Sequence, residues 1–256
     1  MASPRILLWD LETSPNVVAK FSLREEYVAH TNLLQERYII CAAWKELGAK
    51  GTQAVAVTDD PARYRKTPHD DKHVVTKLHK VLSEVDVVVA HNGDAFDSKW
   101  LNGRILFHGL PPLPPIKSVD TLKIARRMFN LNSNRLDYLG KYLGFGGKKS
   151  TPPGLWIDVL KGDAEAVKTM VAYNKRDVEL LEQVFLKLRP YMPDLNAHAL
   201  FGSGAVCPKC GSKDVQRRGW HASVTQVYRR NQCQACKGWF RSRKADADHT
   251  ATMRGL

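Results

Sequence analysis

Residues 6–12 read ILLWDLE, an apolar run of the kind a buried β-strand carries, yet it places carboxylates at Asp10 and Glu12. Side chains along a strand alternate, so positions two apart point to the same face. The two acids therefore stand side by side. Like charges repel, and burying either is costly unless something pairs it. A metal cation is the simplest partner for such a pair.

The following segments predict the elements around this strand. RYIICAAWKE (37–46) and TQAVAVTD (52–59) read as a second and third strand, parted by the Gly-containing LGAKG. Residues 69–84 set Val74, Val75, Leu78, Val81 and Leu82 at helical spacing. DVVVAHN (86–92) is a continuous apolar run suited to a central strand. Residues 94–109 predict a helix with Phe96, Trp100, Leu101, Ile105 and Leu106 inward, and Asp94 reads as a helix-start residue. LPPLPPI (110–116) is a loop, because proline cannot continue a helix. Residues 117–129 read as a strand leading into a helix, 134–144 as a short helix closed by Gly144, and 146–154 as a mobile loop. The clearest helix is 163–188, where Val167, Met170, Val171, Val178, Leu181, Val184, Phe185 and Leu188 fall at steps of three and four before Pro190. Strands first, then strands alternating with helices, predict an α/β domain with a mixed sheet over 1–190. A linker (191–205), a small cysteine module (206–245) and a tail (246–256) follow.

The formal charge is +13, which favours a polyanionic partner, nucleic acid first. Residues 203–256 alone carry eleven Lys/Arg against three Asp/Glu. No stretch approaches a membrane span and the N-terminus lacks a signal-peptide layout, so a soluble cytoplasmic protein is expected. Of the five cysteines, Cys41 lies in the apolar run YIICAAW and reads as a small buried thiol.

Two further segments bring acids to the first pair. HNGDAFD (91–97) ends in Asp97, at the start of a helix that follows a central strand. YNKRD (173–177) puts Tyr173 and Asp177 four residues apart, on one face of the long helix. Hard oxygen ligands of this kind select magnesium or manganese. Two such ions form the clamp used for in-line phosphodiester displacement. A tyrosine beside them could aim an attacking water.

The order DLE, then N-x-x-x-F-D, then Y-x-x-x-D resembles the three motifs of the DEDD (DnaQ-like) 3′–5′ exonucleases, in their tyrosine variant. NGDAFD is most similar to the exonuclease domain of family B DNA polymerases. The resemblance spans about residues 5–188, and SVDTLKIARRMF and NRLDYLGKYLG are similar to the segments joining the second and third motifs. It implies a ribonuclease-H-like fold with a mixed sheet flanked by helices. It further implies Asp10, Glu12, Asp97 and Asp177 as ligands of two Mg2+ or Mn2+ ions, and Tyr173 as the water-orienting residue. Thr13, Asn92 and Phe96 match positions that contact the 3′-terminal nucleotide in that family. Asp120 is expected as a neighbouring structural residue and His91 as a hydrogen-bonding support.

CPKC (207–210) and CQAC (233–236) place two Cys-x-x-Cys knuckles 22 residues apart. Cys207, Cys210, Cys233 and Cys236 are the ligand set of one tetrahedral structural Zn2+, with a β-hairpin between the knuckles. Metal binding would supply the folding free energy of so short a module. The segment is similar to zinc ribbons of DNA-binding proteins. Arg217, Arg218, Arg229, Arg230, Arg241 and Arg243 interleave with Trp220, Tyr228, Trp239 and Phe240, suited to phosphates and unpaired bases. A purely structural or protein-docking ribbon is the alternative.

The sequence therefore predicts a metal-dependent 3′–5′ exonuclease releasing nucleoside 5′-monophosphates, its ribbon holding the nucleic acid. DNA is favoured over RNA, with replication or recombination proteins as further partners. A structure-selective endonuclease on the same fold and a non-catalytic nucleic-acid-binding protein are the competitors.

Overall fold

The computed structural model describes residues 4–22, 24, 27–147, 152–198 and 206–246. Its centre is a five-stranded sheet in the order β5-β4-β1-β6-β7, formed by β1 (Ile6–Thr13), β4 (Ile39–Glu46), β5 (Gln53–Ala56), β6 (Val87–Ala90) and β7 (Lys117–Asp120). β1 pairs antiparallel with β4 and parallel with β6, so the expected mixed sheet is present with the ILLWDLE strand at its middle. A small pair, β2 (Val17–Val18) with β3 (Leu33–Gln35), lies outside it.

The two faces of β1 explain the layers. Leu7, Trp9 and Leu11 belong to one core cluster, with α2 (Lys72–Leu82) and α3 (Asp97–Phe107) packed over it through Val74, Val75, Leu78, Leu101 and Ile105. Ile6 and Leu8 belong to the other, with Val178, Leu181, Val184 and Phe185 of the 25-residue helix α7 (Ala164–Leu188). The expected inward row of the 94–109 helix is corrected at Leu106, which is exposed. Neighbouring helix residues diverge by about 100°, and Leu101 and Ile105, four apart, already fill the core-facing stripe.

Two of the helices that frame the site start on side-chain caps. Asp120 opens α4 (Thr121–Met128) by accepting from Leu122 N at 2.9 Å, and Asp163 opens α7 by accepting from Glu165 N at 2.8 Å. Gly144, at φ 79°, ends α5 (Leu136–Tyr142) in the left-handed conformation that glycine adopts without penalty. Asp94 does not start α3. It bridges Ser118 Oγ and Lys123 Nζ, tying the turn before the helix to β7 and α4. Two short helices were not expected, α1 (Pro61–Lys66) and α6 (Leu155–Leu160). Residues 148–151 of the second expected loop lie outside the described residues.

One buried charge network underlies the body. Asp71 is wholly buried and accepts from Arg104 Nη2 at 2.6 Å, from Arg104 Nε at 2.7 Å and from Ile39 N at 2.9 Å, with His108 Nε2 2.6 Å away. Asp70, Asp71 and His108 also meet the spacing of a cation site, but the guanidinium already occupies both Asp71 oxygens, so the group reads as an ion-pair brace.

Met192, Leu195 and Ala197, at the start of the expected linker, pack into the second core cluster. Residues 199–205 lie outside the described residues. The cysteine module is a three-stranded sheet in the order β10-β9-β8, from β8 (Val215–Ala222), β9 (Val227–Cys233) and β10 (Trp239–Arg241), so the expected hairpin joins the knuckles. Among the described residues no helix is long and apolar enough to cross a membrane.

Candidate metal centres and nucleic-acid interface

Asp10 and Glu12 continue the row Ile6–Leu8 on the face that α7 covers. Where that row is apolar, α7 offers Val178, Leu181 and Phe185. Where it turns acidic, α7 offers Asn174 and Asp177. Asp10, Glu12 and Asp177 each bring a carboxylate oxygen to a common point, all within 4.8 Å of one another. Ligands on opposite sides of an octahedral magnesium ion stand ~4.2 Å apart, so this spacing fits shared divalent cations. The pairing register of β1 shifts between Glu12 and Thr13, and such an irregularity re-aims side chains beside a site.

Asp97 stands beside this trio rather than within it. Its side chain is buried at the first turn of α3, and Oδ1 accepts from Leu11 N at 3.1 Å, the amide between the two strand acids. Tyr173 lies one turn before Asp177 on α7, partly buried against the first core cluster. Thr13 is buried. Asn92 takes a left-handed φ of 69°, and its N–H donates to Asp120 Oδ1 at 3.0 Å. Phe96 is half-buried edge-on to Trp100, with ring centroids 6.3 Å apart. His91 Nδ1 lies 2.9 Å from Thr121 Oγ1, which itself donates to Ala90 O.

Two neighbours escaped the sequence reading. Asn174 is fully buried, and its Nδ2 donates to Asp10 Oδ2 at 2.6 Å. A polar residue at an apolar-stripe position of an amphipathic helix was the available signal. Trp156 of α6 donates through Nε1 to Thr13 O at 3.2 Å, holding the end of β1 from outside the three acidic segments. Cys41, opposite Glu12 in β4, reports the local field: burial first, then the charges of Glu12 and Asp10, push its thiol well above the usual range.

The four cysteines form the second cluster, their sulfurs also within 4.8 Å of one another. Cys207 and Cys236 sulfurs are 3.8 Å apart, and those of Cys210 and Cys233 are 3.6 Å apart. A tetrahedral zinc with 2.3 Å bonds sets its sulfurs ~3.8 Å apart, so the donor set fits one such ion. Burial raises the Cys207 thiol. At Cys233 burial acts the same way but is outweighed by the N–H groups of Cys236 and Ala235 together with hydrogen bonds from the Cys210 and Cys207 thiols, which draw it down to about 7.

The basic residues of the ribbon divide between its faces. Residues opposed across an antiparallel pair share a face. Tyr228, Arg230, Trp239 and Arg241 therefore lie on one side, and Arg217, Trp220 and Arg229 on the other. Arg241 stacks 3.7 Å from the Tyr228 ring centroid, Arg230 5.2 Å from Trp239, and Arg217 4.5 Å from Trp220. Arg230 Nε also donates to Arg218 O, and Arg229 pairs with Asp246 at 3.6 Å.

A family model described as the RNase H superfamily matches residues 49–189. The chain is 38% identical over 72 residues to a DNA polymerase III PolC-type of Ureaplasma parvum serovar 3, a match covering 28% of the chain and 5% of that polymerase. Its fold is similar to the structure of the family B DNA polymerase from the hyperthermophilic archaeon Pyrobaculum calidifontis. There the TM-score is 0.51 at 17% identity, covering 74% of this chain and 26% of that one. The chain thus spans a small part of each polymerase.

Proposed function

This chain belongs to the RNase H superfamily, and from that premise we propose that it is a metal-dependent 3′–5′ exonuclease releasing nucleoside 5′-monophosphates. Membership and the polymerase matches support the coarser statement, a nuclease acting on nucleic acid. The finer reading rests on one observation: Asp10, Glu12 and Asp177 converge from β1 and α7, with Tyr173 one helical turn from Asp177.

In this reading Asp10, Glu12, Asp97 and Asp177 hold two magnesium or manganese ions, and the four cysteines hold a structural zinc. Divalent ions at the acids would lower the pKa of a water and balance charge on the departing 3′-oxygen. The Tyr173 hydroxyl orients that water by hydrogen bonding. Asn174 fixes the rotamer of Asp10, and the Leu11 amide fixes that of Asp97. Thr13, Asn92 and Phe96 position the terminal nucleotide. Attack on the last phosphodiester breaks its P–O3′ bond and releases one nucleotide. The nuclease body takes residues 1–190, and the ribbon over 206–245 assists binding through Arg217, Arg218, Arg229, Arg230, Trp239 and Arg241. DNA in the cytoplasm is the proposed substrate, with replication or recombination proteins as neighbours.

Asp10→Ala tests this directly. With end-labelled DNA and magnesium, mononucleotide release should fall by at least about 10²–10³-fold while binding is retained. Equal loss of binding and cleavage in a folded variant contradicts the reading. Cleavage of a circular substrate at the linear rate replaces it with an endonuclease.

A further inference from the structure

We propose that the junction between α7 and the second cysteine knuckle is a binding groove for single-stranded nucleic acid, separate from the acid site. The proposal deepens the exonuclease reading and rests on it for the identity of the substrate.

The groove is a cavity of about 720 Å³ where the end of α7 meets the ribbon. Its lining combines three aromatic rings, Phe145, Tyr191 and Trp239, with three cations, Lys187, Arg189 and Lys237. No aspartate or glutamate lines it. Tyr191 is 55% and Trp239 44% exposed, so both offer ring surface to a ligand. Lys187 Nζ sits 6.0 Å from the Phe145 ring centroid, and Arg189 lines the groove with its Nε buried beneath the surface. The basic face of the ribbon is continuous with the groove, because Trp239 belongs to both and Arg230 stacks over it.

The walls are fixed to each other. Lys209 Nζ, buried within the first knuckle, donates to Pro190 O in the turn just past α7, and His198 N donates to Pro208 O at 3.3 Å. Gly238 allows the close approach: a Cβ there would stand 2.9 Å from Lys209 Cδ and 3.3 Å from Pro190 O. The ribbon is therefore docked on the nuclease body, and the groove is built into the joint.

Aromatic faces among cations, with no acid present, suit a strand whose bases are free to stack and whose phosphates need neutralising. A duplex hides its base faces and offers phosphates alone. Ten residues of α7 separate Asp177 from Lys187, ~15 Å along the axis at 1.5 Å per residue. That distance takes roughly four to five stacked nucleotides at 3.4 Å each. The groove would thus grip a strand several nucleotides back from the end being cut.

The test uses the full chain with its zinc, without added magnesium, and fluorescence anisotropy on labelled dT20, rU20 and a 20-base-pair duplex. Lys187→Glu, which lies outside the ribbon, should weaken binding of dT20 or rU20 about tenfold and reduce the salt slope by about one. Trp239→Ala should weaken it by a similar factor with zinc content unchanged. The duplex should respond several-fold less. Unchanged single-strand affinity in Lys187→Glu overturns the proposal, as does an equal loss on the duplex. Mononucleotide release by the unmodified protein is scored separately. Its absence removes the exonuclease reading and leaves the anisotropy to decide the groove.

Discussion

The acid cluster and the cysteine cluster both gather metal-type ligands from distant segments, but the chain builds them in opposite ways. The acids sit on β1 and α7, elements already held by the two core clusters. Their geometry exists because the sheet and helix pack. Cys207 and Cys210 sit on a turn before β8, and Cys233 and Cys236 at the end of β9 and the turn after it; the strand side chains are mostly exposed, while Cys207, Cys233 and Lys209 are buried. So small an apolar core cannot offset the conformational entropy of ordering the module. The acid cluster takes its geometry from the packed body, whereas a module of this size is expected to draw its folding free energy from a bound metal.

The largest expected effect breaks that symmetry outright. Stripping zinc with a chelator, or replacing Cys233 by Ser, should unfold residues 206–246, since structural zinc contributes about 10–16 kcal/mol in comparable peptides. Amide exchange should show protection lost in β8, β9 and β10 and kept in β1, β6 and most of α7. Magnesium removal should leave both patterns unchanged. A ribbon that stays protected without metal, or a body that melts with it, would erase the distinction.

The same contrast explains what the sequence revealed. The acid site was legible because its carriers announce themselves: acids interrupt apolar strands, and Tyr173 and Asp177 interrupt an amphipathic stripe. The Cys-x-x-Cys pairs were legible because two tight turns of thiols have few other uses. What stayed hidden depends on tertiary placement. Asn174 interrupts the same stripe, but its bond to Asp10 exists only once the helix is laid on β1. Asp71, Arg104 and His108 form one buried network from segments that each read as ordinary helix. Asp97 lies beside the trio and meets β1 through the Leu11 amide, a contact that side-chain spacing does not encode. Helices α1 and α6 are too short for periodicity to register. That Arg217 and Trp220, three apart, share one face of the ribbon follows from a register that shifts between them, where Gly219 takes a φ of 78°.

Asn174 gives the next, smaller test. It is a positioning residue, holding a carboxylate that would bind metal. Asn174→Ala should raise the magnesium concentration for half-maximal activity about 10–100-fold, with the maximal rate recovered at saturating metal. A merely structural role would lower Tm and leave the metal midpoint where it was. The ribbon should be indifferent, because its ligands are oriented by their own turns.

The smallest effect concerns pH. Asp94 ties the turn that carries Asn92 and Asp97 to β7 and α4 through Ser118 and Lys123. Burial pushes its carboxyl up, but the hydrogen bonds from Lys123 and Ser118 outweigh this, so in the folded protein it lies below the usual carboxylate range. A carboxylate depressed by folding adds stability above its unfolded value, ~3.9, and loses that contribution as pH falls through the folded value. Asp94→Asn should therefore lower Tm slightly at pH 7, with the difference from the unmodified protein closing as pH falls through the depressed folded value. The pair is partly exposed and screened by salt, so the shift should also shrink as ionic strength rises. In a zinc-loaded ribbon acidification would act differently, because thiolates that take up protons release their cation. A Tm difference that persists unchanged at low pH would mean that Asp94 holds its turn by shape rather than by charge. The electrostatic bracing of the acid site would then rest on the contacts to Asp10 and Asp97 alone.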